Sequence, residues 1–245
     1  MYLATFGLAA VGGGVHWGIE WATHSPRFAV AEAEVSGTSS LDDEDLQLAL
    51  APAMGGNLFQ TDTKAVERKL SELAWVEDAE VSRRLPNRLV IDLHEHEPAA
   101  LVSLGGLYLT DSEGRPFKRA AIDRGEGDGL IVVTGLARDE YLADSELTEA
   151  AVRGALSVSN MYRTGKDRPE VGEIHIDPLR GYTLVFADTG SRVHLGRGSD
   201  PVLEQRLDRF DSAWAALSSD EQKRARTFFI DNETRQHSVT IAFAQ

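Results

Sequence analysis

Residues 74–98 read AWVEDAEVSRRLPNRLVIDLHEHEP. Apolar residues alternate with polar ones on both sides of a turn that begins at Pro86, most clearly at Leu89, Ile91 and Leu93. Alternation of this kind predicts a β-strand with one buried face. Two such strands joined by a tight turn predict an antiparallel hairpin that must cover its apolar face with another layer.

The sequence before this hairpin supplies that layer. An extended apolar run from residue 28 stops at a Ser-Gly turn, and a first helix capped by Ser40 is predicted to follow and to end at Pro52. A second helix is predicted to start at Thr61 or Asp62, with apolar residues at helical spacing. Residues 28–97 are therefore predicted to form a compact unit in the order strand, helix, helix, strand, strand.

Residues 98–245 are predicted to form a mainly antiparallel β domain with two long helices. The first helix runs from about Ser145 to Tyr162, and the second has Asp200 as its cap and Pro201 at its first position. Strand signals occur at 107–110, 130–134, 174–176, 182–186, 193–195, 227–231 and 238–243.

Composition excludes several classes of function. The 245 residues include no cysteine, so disulfides, thiolate metal sites and cysteine nucleophiles are ruled out. A formal net charge of -14 repels phosphate backbones, and nucleic acid is not an expected partner. With 42% hydrophobic and 26% charged residues, the composition is that of a folded globular protein.

The N-terminal segment departs from this composition. Between residues 2 and 22 the only charged side chain is Glu20, and the length approaches the roughly 20 residues that span a bilayer. A transmembrane anchor over residues 1–25 is predicted, with Trp17 and Trp21 in the membrane interface. A cleaved signal peptide is the alternative, although neither a basic start nor a clear cleavage site is present.

Motifs for chemistry are weak throughout the chain. His94 and His96 would share one face of a strand and could present two imidazoles to zinc, but no third ligand is evident. The acidic, glycine-containing segment 123–129 lacks the spacing of a calcium loop, and 196–198 lacks that of a phosphate-binding loop. We therefore predict no catalytic residue, no metal site, no cofactor and no small-molecule substrate.

A set of short motifs resembles the FtsQ/DivIB family of bacterial cell-division proteins. The segment 74–98 resembles the hairpin of that family's POTRA domain, and the other motifs lie in the family's order along residues 28–245. They are Val35-Ser36-Gly37, Gly56-Asn57-Leu58-Phe59, the D-x-x-G-x-x-F pattern at Asp111, Gly114 and Phe117, and Val193-His194-Leu195-Gly196 before the last long helix.

The resemblance implies an α+β protein with a POTRA domain at 28–97 and an FtsQ-type β domain at 98–245. It implies a non-enzymatic scaffold that crosses the cell inner membrane once, with its bulk on the periplasmic side at the division septum. The implied partners are bitopic proteins of the FtsB and FtsL type and other components of the divisome.

The resemblance also implies where the partner binds. A partner segment would add a strand to the C-terminal edge of the β domain, with main-chain hydrogen bonds for affinity. Each residue of this edge either contacts the partner or belongs to the core, because successive strand residues face opposite sides. The candidates are Phe229, Ile230, Asp231, Val239, Ile241 and Phe243.

Two other classes remain open from the sequence. A POTRA-type outer-membrane assembly or secretion factor would need tandem POTRA units or a following β-barrel. A zinc enzyme would use His94 and His96, and bound zinc would have to disappear when either histidine is replaced.

Overall fold

The computed structural model describes residues 17–232 and 238–244 of the chain. The chain divides into two compact units, with the boundary between His96 and Glu97. Residues 17–24 are helical, and three short 3-10 helices occur at Pro26–Phe28, Ala51–Ala53 and Ile122–Arg124.

The first unit has the predicted order of strand, helix, helix, strand, strand. Its elements are β1 (Glu32–Ser36), α1 (Asp43–Leu50), α2 (Thr63–Leu70), β2 (Val76–Arg84) and β3 (Arg88–Glu95). The three strands form one sheet in which β3 is central, parallel to β1 and antiparallel to β2.

The alternating pattern of the hairpin is confirmed by its burial. Leu89, Ile91 and Leu93 on β3 are buried, and they share one hydrophobic core with Val66 and Leu70 of α2. The residues between them, Val90 and Asp92, face away from this core, as a strand period of two requires. The helices thus cover a single face of the small sheet.

The starts of the two helices differ in how well the sequence predicts them. The start of α2 is confirmed, since the Asp62 carboxylate accepts a hydrogen bond from the Ala65 backbone N–H at 3.1 Å. The predicted Ser40 cap of α1 is wrong, because α1 begins only at Asp43. The Ser40 N–H instead donates to the Glu95 carboxylate at 2.9 Å, which ties this loop to the end of β3.

The second unit contains nine strands and four helices among its described residues. The helices are α3 (Arg138–Ala143), α4 (Ser145–Arg163), α5 (Asp200–Ala216) and α6 (Ser219–Arg224). The strands are β4 (Ala100–Ser103), β5 (Leu107–Thr110), β6 (Pro116–Arg119), β7 (Val132–Thr134), β8 (Val171–Asp177), β9 (Gly181–Phe186), β10 (Arg192–Gly196), β11 (Ala225–Phe229) and β12 (Thr240–Phe243).

All nine strands belong to one sheet in the order β12-β11-β10-β9-β8-β7-β4-β5-β6. The expected antiparallel meander is present as β8, β9 and β10. Three pairings are parallel, namely β4 with β7, β7 with β8, and β10 with β11. The sheet is therefore mixed, with antiparallel pairs in the majority, and α4 and α5 are the two long helices that the sequence predicts.

An aromatic cluster lies under the C-terminal part of this sheet. Phe210 and Trp214 of α5 pack on Phe186 of β9 and Phe228 of β11, with ring centroids 5.3 to 6.0 Å apart. Phe228 and Phe210 are fully buried. Burial of rings of this size is a large stabilising contribution, so α5 fixes the position of β11.

Two details of this unit differ from the prediction. The strands β4 and β6 are absent from the sequence signals. The N-cap position of α5 is Ser199, whose side chain makes no capping hydrogen bond, and Asp200 is the first residue of the helix. Ala100, Leu101 and Val102 of β4 are all buried. A strand covered on both faces has no apolar alternation to reveal it.

Candidate partner-binding edge

Strand β12 is an end strand of the nine-stranded sheet. It pairs antiparallel with β11, and Phe228 lies opposite Ile241 while Phe229 lies opposite Thr240. On its other side no described strand pairs with it. The backbone groups on that side are therefore able to form a ladder with an added strand.

The six candidate residues lie on or beside β11 and β12 but not on one surface. Phe229 and Phe243 are 39% and 40% exposed, whereas Ile230 is fully buried. Val239 and Ile241 are half-buried and pack against the hydrophobic core. The side chain of Ile230 thus belongs to the core, and the exposed apolar surface of this edge is concentrated in the two phenylalanines.

Two exposed residues of this edge are missing from the sequence-based candidates. Thr240 and Ala242 alternate with Ile241 and Phe243 along β12 and are exposed. Ile241 and Phe243, the apolar residues of β12, share the face on which Ile241 packs against the core. The period of two gives the only sequence signal for the other face, since Thr240 and Ala242 must point away from Ile241.

Phe229 is held in place by a neighbour on β10. Its ring stacks on the imidazole of His194 with a centroid distance of 4.9 Å and an interplanar angle of 15°. The His194 Nδ1 lies 3.0 Å from the Thr183 Oγ1. Burial lowers the pKa of His194 below its ordinary value, and the Asp231 carboxylate opposes this only in part, so a neutral ring is favoured at neutral pH.

The end of β10 is fixed by a buried arginine. Arg206 of α5 donates hydrogen bonds from Nη1 to the backbone oxygens of Leu195, at 2.8 Å, and Arg197, at 2.6 Å. Gly196 between them has φ of +79°, and a Cβ at that position would lie 2.6 Å from the Cβ of Asp231. Only glycine fits this left-handed, crowded position, which explains the glycine of the Val193–Gly196 motif.

Asp231 follows β11 and lies close to this junction. Its side chain is half-buried, and its charge acts on the pKa of His194. Asp231 is thus better placed to organise the end of the edge than to present a free carboxylate to a partner.

The D-x-x-G-x-x-F motif forms the turn between β5 and β6 at the opposite end of the sheet. The Asp111 carboxylate accepts hydrogen bonds from the Arg115 N–H at 2.9 Å and from its Nε at 2.8 Å. Gly114 has φ of +79°, and a Cβ there would lie 2.5 Å from the backbone oxygen of Glu149 in α4. The motif is therefore a structural turn packed against a helix.

Only one histidine of the pair lies on a strand. His94 is exposed on β3, but β3 ends at Glu95, and the His96 N–H donates to the Trp75 oxygen at 2.9 Å. Burial acts to raise the pKa of Glu95, but hydrogen bonds from Ser39 and the following backbone N–H groups outweigh it and hold that pKa below its ordinary value. Within the described ranges, no group of three or more histidine or acidic side chains is arranged to hold a metal ion.

Most of the predicted membrane anchor lies outside the described residues. Residues 1–16 are not described, whereas Trp17 and Trp21 lie in the helical stretch 17–24 and are both exposed. Across residues 17–232 and 238–244, no helix combines the length and apolar character that crossing a membrane requires.

The fold and motifs together define a class of protein, a POTRA-type unit followed by a mixed β domain whose last strand is an open edge. Comparison with known proteins agrees with this class. Residues 28–96 match the FtsQ-type POTRA domain, and residues 99–231 match the C-terminal domain of the cell division protein FtsQ/DivIB.

Curated relatives extend the match over nearly the whole chain. The cell division protein FtsQ of Myxococcus fulvus is 37% identical, over 98% of this chain and 84% of that protein. FtsQ of an Anaeromyxobacter species is 36% identical, over 97% of this chain and 79% of that protein. FtsQ of Geotalea daltonii is 29% identical, over 78% of this chain and 69% of that protein. The chain belongs to the FtsQ/DivIB family of cell-division proteins.

Proposed function

We propose that this protein is a non-catalytic scaffold of the division machinery. It is held by a single span in the inner membrane, with its bulk on the periplasmic side at the septum, and it binds bitopic partners of the FtsB and FtsL type. Its membership of the FtsQ/DivIB family supports the role in division. The segment 2–22, in which Glu20 is the only charged side chain, supports the span.

The composition of β12 is the observation that carries the proposed binding mode. Its residues Thr240-Ile241-Ala242-Phe243 include neither a charge nor a proline, on a strand whose outer side pairs with no described strand. Proteins ordinarily protect such an edge with charges, prolines or a covering loop, because it can pair with another chain. An uncharged open edge is suited to strand addition by a partner.

The flanking side chains give this edge its specificity. Backbone hydrogen bonds from an added strand are independent of sequence, so selection depends on the side chains beside it. Phe243 extends from β12, and Phe229 is exposed on the neighbouring strand, stacked on His194. Aromatic anchors held in a fixed position lose little conformational freedom on binding, which favours them as affinity-determining contacts.

Substitution of the two phenylalanines tests the proposal. The measurement is the affinity of the membrane-reconstituted full chain for the FtsB-type protein of the same organism. Phe229→Glu and Phe243→Glu are each expected to weaken binding by about tenfold or more, since Phe243→Glu places a charge on the edge strand itself and Phe229→Glu places one on the adjacent strand β11. Leu179→Glu is the matched control, because Leu179 is an exposed apolar residue in the turn between β8 and β9.

Circular dichroism and thermal unfolding establish that each variant remains folded. Unchanged affinity in folded Phe229→Glu and Phe243→Glu would show that the partner does not bind here. An equal loss in the Leu179→Glu control would show that the effect is a general consequence of added negative charge.

A further inference from the structure

A row of three aromatic side chains connects the helical stretch 17–24 with the POTRA unit. Trp21 meets Phe28 edge to face at a centroid distance of 5.8 Å, and Phe28 meets Phe59 at 5.0 Å. The Asn57 Nδ2 also donates a hydrogen bond to the Ala22 backbone oxygen at 2.9 Å. Phe59 and Asn57 belong to the same Gly56–Phe59 motif, so this loop, together with Phe28, forms a clamp that holds the helical stretch on the unit.

The clamp leaves much of its apolar surface exposed. Trp17 is 71% exposed, Trp21 54% and Phe59 44%. Trp17 and Trp21 are four residues apart, which places them on the same face of the helix. Several large exposed apolar side chains close together on a strongly acidic protein mark an interaction surface.

The adjoining sequence indicates what covers this surface. Residues 2–16, which lead directly into Trp17, contain no Asp, Glu, Lys or Arg. Trp21 is four positions after Trp17, which corresponds to a rise of about 6 Å along the helix. The polar interfacial layer on each side of a bilayer is about 5–8 Å thick, so the anchor predicted over residues 1–25, which includes the helical stretch 17–24, brings the clamp to the lipid headgroups.

Aromatic side chains are the residue type that this layer favours. Indole and phenyl rings collect where the hydrocarbon meets the headgroups, and this preference does not depend on lipid charge. The net charge of -14 opposes binding to anionic lipid, so the relevant contact is apolar and suits a zwitterionic surface.

We propose that the Gly56–Phe59 loop of the POTRA unit rests in the membrane interface. Phe59 and Trp21 contact lipid, and the contact of both rings with Phe28 holds the POTRA unit in one orientation on the bilayer surface. This inference rests on the proposed anchor but goes beyond it, since a flexibly tethered POTRA unit would satisfy the anchor alone.

The absence of cysteine allows a direct test. A single thiol introduced by Gln60→Cys, next to Phe59, is labelled with an environment-sensitive fluorophore in the full chain. The protein is reconstituted in phosphatidylcholine vesicles with or without lipid that carries a nitroxide on its headgroup. We expect a blue-shifted emission that the nitroxide lipid quenches at least twofold more than in a labelled Leu179→Cys control, whose site is 84% exposed in the β domain.

A second substitution tests whether the quenching depends on the row of aromatic side chains. Phe59→Ser in the labelled protein should reduce the quenching at position 60, whereas Leu48→Ser, at another exposed apolar site of the same unit, should leave it unchanged. Equal quenching at positions 60 and 179, or quenching unaffected by Phe59→Ser, would overturn the inference. A signal that depends on protein concentration would assign the surface to a second copy of the chain instead.

Vesicle flotation at alkaline pH separates this inference from the proposed anchor. Protein that floats with the vesicles but shows no quenching at position 60 keeps its anchor and has a POTRA unit away from the lipid. Protein that does not float lacks the anchor itself, and the inference fails with it.

Discussion

The two end strands of the nine-stranded sheet differ in how their free edges are protected. Strand β6 begins with Pro116 and ends with Lys118 and Arg119, whereas β12 contains only Thr, Ile, Ala and Phe. Proline and lysine on an edge strand oppose pairing with another chain. One end of the sheet is closed to strand addition by its sequence, and the other is left open.

The small sheet of the first unit is protected in the same way as β6. Its edge strand β1 carries Glu32 and Glu34, which form ion pairs with Arg88 and Arg84 at 2.8 and 2.9 Å. The other edge strand, β2, is rich in charged residues. Among the described sheet edges, β12 is therefore distinguished by its lack of charge, and a function that depends on an open edge is best sought there.

The largest loss of stability is expected when the aromatic cluster that packs under the open end is disrupted. Phe228→Ala should lower the free energy of unfolding by about 3–5 kcal/mol, because it removes a fully buried ring from the aromatic cluster under β11. Denaturant unfolding measures this. Phe243→Ala, at an exposed position, should cost far less, and equal losses in the two variants would contradict the distinction between core and edge.

The ion pair beside the closed end should make the stability of the folded protein fall at acidic pH. The Lys118 ammonium donates to both oxygens of Glu126 at 2.7 Å. Burial acts to raise the pKa of Glu126, but the Ala121 N–H and Lys118 outweigh it, so this pKa lies below its ordinary value. The folded state is therefore stabilised above the ordinary carboxyl pKa, and this stabilisation is lost as pH falls through the lower folded-state value.

Glu126→Gln should remove this contribution. At neutral pH the expected loss is about 1.5–3 kcal/mol, and it should shrink towards zero as the pH falls below the pKa of Glu126. Unfolding free energies of both proteins between pH 2 and pH 7 measure it. A difference that stays constant over this range would contradict the role of the ionised carboxylate.

Making the open end resemble the closed one should weaken partner binding. Ala242→Lys places a charge on the exposed face of β12 and should lower affinity for an FtsB-type partner about tenfold, equivalent to about 1.4 kcal/mol. Arg119→Ala on β6 is the control at the other end and should leave affinity unchanged. Affinity lost in the β6 variant, or retained in the β12 variant, would place the partner elsewhere.

The smallest loss of stability is expected when an ion pair of the first unit is removed. Glu34→Ala breaks an ion pair whose side chains are both more than half exposed, and such pairs contribute at most about 1 kcal/mol. Thermal unfolding measures the stability, and light scattering measures association. A loss well above 1 kcal/mol would show that the pair has a structural role beyond protecting the edge.

Local patterns predicted much of this fold. The alternation at Leu89, Ile91 and Leu93 defined β3, and the Asp62 cap defined the start of α2, because both depend on residues close in sequence. The Ser40 cap failed because Glu95, 55 residues away, binds the Ser40 N–H. Contacts over such separations are decided by tertiary packing and leave no local pattern.

The candidate edge was predictable only in part. Apolar alternation located the two final strands, but it could not show that Ile230 is fully buried while Phe229 next to it is exposed. Nor could it show that β11 pairs parallel with β10, since that pairing spans the whole of α5 and α6. Which face of a strand meets the core depends on the sheet that it joins.

The parallel pairing of β10 with β11 also makes the open edge depend on the rest of the β domain. A parallel connection requires the intervening α5 and α6 to fold back across the sheet, so the pairing of β11 with β10 is non-local. Strand β12 then has a place to pair only after β11 is present. A partner that adds to β12 would therefore recognise chains whose β domain has completed folding, and the binding edge would act as a checkpoint on assembly.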